Sequence, residues 1–482
     1  MHTTTSGAAP SVNSPVNKPG LLINRNFGLL WVGQSISAIG DFVFTFTLVV
    51  WIALGLAKGQ PWAPLAVSGV LLAEAIPIAL VGPLAGVFVD RWDKRRTMLA
   101  VDGTRAIIVA ALLLVSGVVP LPFVPGGRLP LMWQLGAIYA SVFLVNALGR
   151  FFNPASTALL GDIVAESMRT RASGMLQTSA SLAILIGPGV APALYLAVGP
   201  WWALLANALS FVVSFVTVWA IAAPSAARSV ASGERKSVLR ELGAGLRFFS
   251  RSRILMTLAV AVVIIMLGGG ALNALDVFFS TQNLHASATV YGLLGVAYGV
   301  GSIAGSVVAS AFAGRIRAAR MIWLGFLGLG ILMLVYSRLT SAGPALALLF
   351  IVGICNAAVN VGAGPLVLHV TPREYVGRVT AVINPLGSLA SLVSIAAAGY
   401  LASTLLRGLH AQALGMTFGA VDTIFAAAGV LGVVCGLYCM LNLRGVRLAG
   451  EKGAASLERP LAGDDTAEVQ AQQSTEPERV HS

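Results

Sequence analysis

The sequence predicts an all-α integral membrane protein with twelve transmembrane helices. Of its 482 residues, 57% are hydrophobic and only 10% are charged, whereas a soluble domain has roughly 25% charged residues. The mean hydropathy is +0.84. Apolar runs of about 20 residues recur along the chain, the length that one helix needs to cross a bilayer. Lipid, and not water, therefore surrounds most of this protein.

Charge clusters, prolines and glycines separate the apolar runs from Phe27 onward. The twelve predicted span cores are 27–56, 64–89, 97–119, 131–153, 172–197, 200–222, 254–280, 290–313, 321–338, 344–369, 379–405 and 416–441. Residues 1–24 are rich in Ser, Thr, Asn, Gly and Pro and lack the apolar core of a signal peptide. We therefore expect a polar cytoplasmic leader before the first span.

The two halves of the chain share a sequence pattern. Pro154, Val164, Glu166 and Arg171 recur about 210 residues later as Pro365, Val370, Glu374 and Arg378. This parallel repeat predicts two six-helix bundles, residues 25–222 and 254–443, with a transport site between them. In the linker 223–253, Leu and Phe alternate with Arg at helical spacing, which indicates an amphipathic helix on the membrane surface. The tail 444–482 has few apolar residues, so we expect it to be cytoplasmic and disordered.

The basic residues predict the orientation. With the N-terminus inside, 26 of the 31 Lys and Arg residues fall in inner segments and four in outer segments, while Arg105 lies in a span. Positive charge accumulates on the cytoplasmic side of membrane proteins, so both termini should be cytoplasmic and the protein should lie in the inner membrane. The net charge of +12 then reflects topology, and we expect no nucleic-acid partner.

The sequence contains no motif that is typical of a soluble enzyme. There is no phosphate-binding loop, and the glycine pattern GVGSIA at 299–304 falls within a span, where small residues serve helix packing. The three cysteines also lie in apolar runs, which indicates packing and not a disulfide or a zinc site. The five histidines are scattered. We therefore expect no enzyme activity, no cofactor and no metal.

Five acidic residues fall within the spans: Asp41, Glu74, Asp102, Asp276 and Asp422. Each costs about 2.5 to 3.5 kcal/mol on insertion, so each needs a reason to be there. At 1.5 Å per residue, Asp41 lies about 22 Å from the inner start of span one and Glu74 about 17 Å from the outer start of span two. Both acids therefore reach the middle of the bilayer. Asp276 and Asp422 lie nearer the outside, where they can face water.

The Asp102 carboxylate and the Arg105 guanidinium are one helical turn apart in span three. This spacing predicts a structural ion pair near the cytoplasmic face.

Three interpretations of Asp41 and Glu74 stay open at this point. Each carboxyl can hydrogen-bond to neighbouring helices, can load and release a coupling proton in a low-dielectric cavity, or can attract a cationic substrate.

The segment GVFVDRWDKRR at 86–96 places an acid at a helix end before four basic residues. Its pattern GxxxDRxxKR resembles the signature loop of the major facilitator superfamily. The matching residues are Gly86, Asp90, Arg91, Lys94 and Arg95. The resemblance implies a cytoplasmic gate, in which Asp90 meets the N-terminal dipole of the eleventh helix beside Gly377 and Arg378. Asp93 stands where the family has a second glycine, and Phe88 where it has leucine.

Other segments resemble the branch that contains bacterial macrolide efflux proteins and the enterobactin exporter, over residues 24–443. They are NRNFGLLWVGQSISAIGD, ELGAGLRFF and PREYVGRV. The segment LIGPGVAP, with Gly187 and Pro188, is similar to the antiporter motif of exporters. Ala183 replaces the first glycine of that motif, and Ala191 and Pro192 replace its closing glycine pair. The resemblance implies the major facilitator fold, two pseudo-symmetric six-helix bundles, and antiport of drugs against protons.

The sequence therefore predicts a secondary transporter that exports an amphipathic small organic compound, such as a drug, an antibiotic or a siderophore, in exchange for protons. We expect it to act as a monomer in the lipid bilayer. An importer or facilitator of the same fold is one alternative. A receptor or scaffold without transport is another, since fold does not fix function.

Overall fold

The structure is a computed structural model that describes residues 23–89, 91–115, 117, 127, 129–222, 249, 252–313, 315–372, 375–409, 411–413 and 416–444. The leader up to residue 22, Asp90, most of the linker and the tail after Arg444 lie outside these ranges. The expectations of an amphipathic linker helix and a disordered tail fall there and stay predictions.

Twelve membrane-spanning helices occur in the described ranges, which confirms the predicted fold class. Together with the short α3, which is not one of the twelve, the helices are α1 (Arg25–Trp51), α2 (Ala63–Leu80), α3 (Gly82–Val89), α4 (Lys94–Val115), α5 (Leu131–Ile163), α6 (Glu166–Val198), α7 (Trp201–Trp219), α8 (Arg253–Phe278), α9 (Ala288–Phe312), α10 (Ala318–Tyr336), α11 (Ala342–Val370), α12 (Val376–Tyr400) and α13 (Ala420–Asn442). Short strands β1 (Ala411–Ala413) and β2 (Met416–Phe418) pair in antiparallel fashion before α13.

Two predicted span boundaries are wrong. The second span is interrupted at Val81 and forms α2 and α3, because Pro83 has no backbone N–H to donate to the carbonyl one turn earlier in α2. The last helix begins at Ala420 and not at 416, because 416–418 pair with β1.

Helices α5 and α6 extend farther than their predicted span cores, to Ile163 and from Glu166. Arg150, which the charge count placed with the inner segments although it falls near the end of the predicted core 131–153, consequently lies well inside α5. The same extension places Arg169 and Arg171 inside the first turns of α6. The excess of basic residues toward the inner end persists, so the predicted orientation is unchanged.

Local side chains fix several helix starts. The Asn24 side chain accepts a hydrogen bond from the backbone N–H of Phe27 at 2.7 Å, so α1 begins directly after it. Ser252 accepts from the N–H of Leu255 at 3.4 Å at the start of α8. Helices α1 and α8, which open the two halves, each continue into a π-helical turn, Ile52–Leu56 and Phe279–Asn283.

The helix packing repeats between the halves. In the first half α1 packs on α6 and α7, α4 packs on α5 and α7, and α2 packs on α5. The corresponding pairs in the second half are α8 with α12 and α13, α10 with α11 and α13, and α9 with α11. This correspondence confirms the two pseudo-symmetric six-helix bundles. The halves meet through α2 with α12 and α6 with α9.

The halves make close contacts at one end only of the described bundle. We call this end the outer end, and the end that holds Arg25 and Asn442 the inner end. At the outer end the Leu65 N–H donates to Ser403 Oγ at 3.0 Å, and one hydrophobic cluster includes Val70 of the first half and Ile395 of the second.

At the inner end, by contrast, each hydrophobic cluster belongs to one half. One contains Phe27, Met98 and Leu160, and another contains Ile322 and Leu366. The described structure is therefore closed at the outer end and open at the inner end.

Candidate functional site

Asp41 lies in the middle of α1, where this helix is tightly packed between α6 and α7. A methyl group on Gly40 would lie 2.7 Å from the Asn207 Oδ1 of α7. On the other side, a methyl group on Gly187 of α6 would lie 2.6 Å from Phe42 Cβ. Two glycines therefore allow the backbones to approach closely on both sides of Asp41.

The Asp41 carboxyl belongs to a charged cluster in the first half. It interacts electrostatically with Arg105 of α4 and Arg150 of α5, and the Asn207 amide lies beside it. Asn207 is fully buried, and its Nδ2 makes no hydrogen bond of ordinary geometry within the described ranges. Glu74 of α2 interacts electrostatically with Asp41 and with Arg150. The structure therefore brings the two predicted midplane acids together.

The predicted ion pair between Asp102 and Arg105 does not form. The ion pairs of the described residues are Lys94 with Asp162 and Arg338 with Asp422. Arg105 turns away from its own helix: its Nε donates to the Val145 carbonyl oxygen of α5 at 2.9 Å. The guanidinium has room there because Gly149 carries no side chain.

Asp102 is fully buried, and neither of its carboxyl oxygens has a hydrogen-bond partner in the described part of the chain. Ser214 of α7 lies beside this carboxyl group, and Arg105 and Asp41 interact with it electrostatically. Asp102 is therefore a third acid of the charged cluster, and not half of an isolated structural pair.

Sequence reasoning missed the role of Arg150, which it counted with the inner segments although the residue falls within the predicted core 131–153. In the structure Arg150 is half-buried and interacts electrostatically with Glu74, Asp41 and Arg105. The signal was the sequence around 150–163, where apolar residues continue at helical spacing past Asn153. Following this pattern would have extended the fourth span to about residue 163 and moved Arg150 from the end of the span toward its middle.

The predicted gate residues bind groups of the first half in this open state. Lys94 Nζ lies 2.7 Å from Asp162 Oδ2, and Arg95 donates to the backbone carbonyls of Val218 and Trp219. Arg91 is exposed.

In the described part of the inner end, the gate residues of the first half do not pack against the start of α12 in the second half. A methyl group on Gly86 or on Gly377 would meet no atom within 4 Å. Asp90 and the Arg378 side chain lie outside the described part, so the gate stays a prediction.

The antiporter-like motif lies at the interface between the halves. Helix α6 is continuous through Pro188. A methyl group on Gly292 of α9 would overlap the Pro188 carbonyl oxygen, and one on Gly295 would lie 2.7 Å from Pro188 Cβ. Gly187 thus contacts α1 beside Asp41, and the next residue, Pro188, contacts α9 of the other half.

The acids of the second half have different surroundings. Asp422 was expected to face water, but it is buried, with an exposed fraction of 3%. Arg338 Nη2 lies 3.2 Å from Asp422 Oδ2, and the Gly419 N–H donates to Asp422 Oδ1 at 2.7 Å. A cation and a backbone donor therefore replace the water that we had expected. Asp276 is half-buried and interacts electrostatically with Tyr291.

A cavity of about 560 Å³ lies at the outer end, away from the charged cluster, and includes Lys58, Gln60, Asn283, Arg407 and Asp422 in its lining. It lies outside the contacts that close the halves, so it is an outer vestibule and not the central site.

The three cysteines are free, and Cys435 and Cys439 are buried as expected of packing residues, while Cys355 is half-buried. Within the described ranges, no three His, Cys, Asp or Glu side chains converge as metal ligands would.

Two six-helix halves that meet through α2 with α12 and α6 with α9 form the architecture of a major facilitator transporter. The chain belongs to the transmembrane secretion effector family, whose model matches residues 20–456.

Its relatives include efflux proteins. Macrolide efflux protein A of Streptococcus pyogenes is 22% identical over 426 residues, which cover 86% of this chain and 96% of that protein. The multidrug efflux pump Tap of Mycolicibacterium fortuitum is 23% identical over 376 residues, 74% of this chain and 87% of the pump. The crystal structure of a bacterial homologue of the iron transporter ferroportin has a TM-score of 0.65 at 14% identity, covering 87% of this chain and 99% of that one. This last likeness supports the fold alone.

Proposed function

We propose that this protein exports an amphipathic small organic compound across the bacterial cell membrane in exchange for protons. Two relatives, a macrolide efflux protein and a multidrug efflux pump, support export and an organic substrate. The charged cluster of the first half is the observation that supports proton coupling.

The composition of the cluster favours the uptake of one proton. It holds three carboxyl groups, Asp41, Glu74 and Asp102, against the two guanidinium groups of Arg105 and Arg150. With all five ionised, the cluster has one net negative charge. A net charge is costly away from water, and one bound proton removes it. The cluster is thus suited to alternate between a neutral, proton-loaded state and an anionic state.

The packing around Asp41 links this proton to the conformation of the transporter. Residues 40–42 contact α7 on one side and Gly187 of α6 on the other, and the adjacent Pro188 packs on Gly292 of α9. A shift of α1 that follows proton binding or release therefore reaches the contact between the halves. In the proposed cycle, this shift separates α6 from α9 and opens the outer end.

The inner end closes when the outer end opens in the proposed cycle. Asp90, with Arg91 and Lys94 beside it, would then approach the start of α12 near Gly377 and Arg378. The Asp90 carboxylate at a helix N-terminus contributes about 0.3 to 2 kcal/mol. This is enough to shift a balanced equilibrium between two states several-fold.

The same net negative charge supports a second role, attraction of a cationic substrate. This role predicts that loss of a carboxylate weakens the binding of cations and spares neutral compounds. Proton coupling predicts instead that binding survives while uphill transport fails for both kinds of compound.

The test uses purified protein in sealed liposomes with an imposed pH gradient, and one cationic and one neutral lipophilic dye. The variants are Asp41→Asn and Glu74→Gln, singly and together. Asp276→Asn is the matched control, because it makes the same change in a spanning helix outside the cluster. We expect gradient-driven export of both dyes to be lost in at least one cluster variant, with dye binding retained, and to persist in the control.

Two outcomes contradict the proposal. Weakened binding of the cationic dye alone would assign the carboxylates to substrate recognition. Full gradient-driven export in both single variants and in the double variant would leave these acids as interhelical hydrogen-bonding groups.

A further inference from the structure

A groove at the inner end of the second half lies apart from the charged cluster and from the gate. Its volume is about 300 Å³, and it is formed where α10 begins and α13 ends. Its lining includes Arg317, Arg320, Trp323, Met440, Leu443 and Arg444. The proposed transport cycle assigns no role to these residues.

Three cationic side chains line this groove, and none has an acidic partner among the residues that the structure describes. The ion pairs among the described residues join Lys94 to Asp162 and Arg338 to Asp422, and none includes Arg317, Arg320 or Arg444. Uncompensated guanidinium groups repel one another when they are brought together, so a bound anion would stabilise this arrangement. The planar fork of an arginine matches the oxygens of a phosphate group.

The surroundings of the groove favour a lipid phosphate over a phosphate free in solution. Met440 and Leu443 give the groove an apolar side, and Trp323 is a residue type that concentrates at membrane interfaces. Leu324 of α10 and Leu441 of α13, next to the groove-lining residues Trp323 and Met440, are 46% and 58% exposed. In a spanning helix such exposed leucines contact acyl chains. One ligand with a phosphate group and two acyl chains therefore matches both the basic and the apolar surfaces.

We propose that the groove between α10 and α13 binds the headgroup phosphate of an anionic phospholipid in the leaflet at the inner end. The arginines contact the phosphate, and the acyl chains lie along the exposed leucines. The competing occupant is the acidic tail, because the chain continues from Arg444 into a segment with seven acids.

The test measures lipid retention by native mass spectrometry of the purified full-length chain. The probe is phosphatidylglycerol, with phosphatidylcholine as the zwitterionic comparison. Arg317→Gln, Arg320→Gln and Arg444→Gln are compared singly with Arg315→Gln. Arg315 is a matched control, because it lies in the same loop but stands 6.0 Å from the Phe312 ring and outside the groove lining.

We expect each groove variant to weaken retention of phosphatidylglycerol about fivefold, and the triple variant about a hundredfold. Retention of phosphatidylcholine and the behaviour of Arg315→Gln should stay unchanged. If the triple variant fails to fold, the comparison of the single variants with Arg315→Gln is sufficient to test the proposal.

Three results would overturn the proposal. An equal loss in Arg315→Gln would indicate diffuse surface attraction. Displacement of the lipid by equimolar glycerol phosphate would indicate a site for free anions. A gain in lipid retention of tenfold or more on removal of residues 449–482 would identify the tail as the occupant.

Discussion

The substitution Gly292→Ala tests how the outer end closes. In the described conformation, the added methyl group would overlap the Pro188 carbonyl oxygen and would lie 3.2 Å from Pro192 Cγ. Both atoms belong to α6 of the other half, and one of them is backbone, so a side-chain rotation cannot relieve the overlap. The outer end can accept the methyl group only if α9 and α6 separate.

The magnitude follows from the cost of overpacking. Forcing one extra carbon into a well-packed contact typically costs about 1 to 3 kcal/mol. The cost falls on the state that is closed at the outer end, because opening this end removes the contact. The equilibrium between the two states should therefore shift toward outer opening by about 5-fold to 150-fold.

The assay measures the reactivity of a cysteine at the outer contact. Ser403 is buried there, with an exposed fraction of 6%, and its hydroxyl accepts a hydrogen bond from the Leu65 N–H. Ser403→Cys is introduced into a chain without its three native cysteines. The rate of reaction with an impermeant maleimide is then measured with and without Gly292→Ala. We expect this rate to rise by the factor given above.

Gly364→Ala is the control, because a methyl group there would meet no atom within 4 Å. Alanine favours a helix over glycine by about 1 kcal/mol, so this control should fold at least as well as the parent. An unchanged maleimide rate in a folded Gly292→Ala variant would refute the argument that the contact between α6 and α9 holds the outer end closed.

Three further predictions concern the gate, the outer end and the topology. Asp90→Asn should leave folding and insertion intact but slow transport several-fold, because it removes the charge that favours a helix N-terminus; transport at the parental rate would return this loop to a topology signal. Arg338→Gln should lower the stability of the detergent-solubilised protein by about 1 to 3 kcal/mol, because Asp422 stays buried without its cation. Adding Asp422→Asn should restore much of the melting temperature, and no recovery would contradict the pairing. A cysteine at Ser232 should resist an impermeant reagent outside intact cells while one at Gly127 reacts, and the opposite result would reverse the orientation.

The spans and the two midplane acids could be predicted because each depends on one helix at a time. The length of an apolar run sets where a helix crosses the bilayer, and the rise per residue sets the depth of an acid within it. Asp41 and Glu74 were therefore identified from their depth alone. Their mutual proximity depends on how α1 and α2 pack within the first bundle, which no single run of residues specifies.

The partners of Arg105 could not be predicted for a related reason. Spacing along a helix identifies the neighbours three and four residues away, so Asp102 was the expected partner. A long arginine side chain can also reach a facing helix, and here the absence of a side chain at Gly149 gives it the space. The position of one glycine on another helix thus decided the partner.

The close packing around Asp41 explains how a change of one proton can reach the interface between the halves in the proposed cycle. In a loosely packed helix, a change in the interactions of the carboxyl group would be absorbed by rotation of its own side chain. At Gly40 and Gly187 there is no space for even one additional carbon atom, so a displacement of α1 must move α6 or α7. Helix α6 carries Pro188 against Gly292, where the same lack of space applies. The overlap cost of about 1 to 3 kcal/mol at such a contact is comparable to a coupling free energy between two sites. Proton binding in the first half can therefore change the balance between the open and closed states of the outer end without direct contact between the acid and the second half.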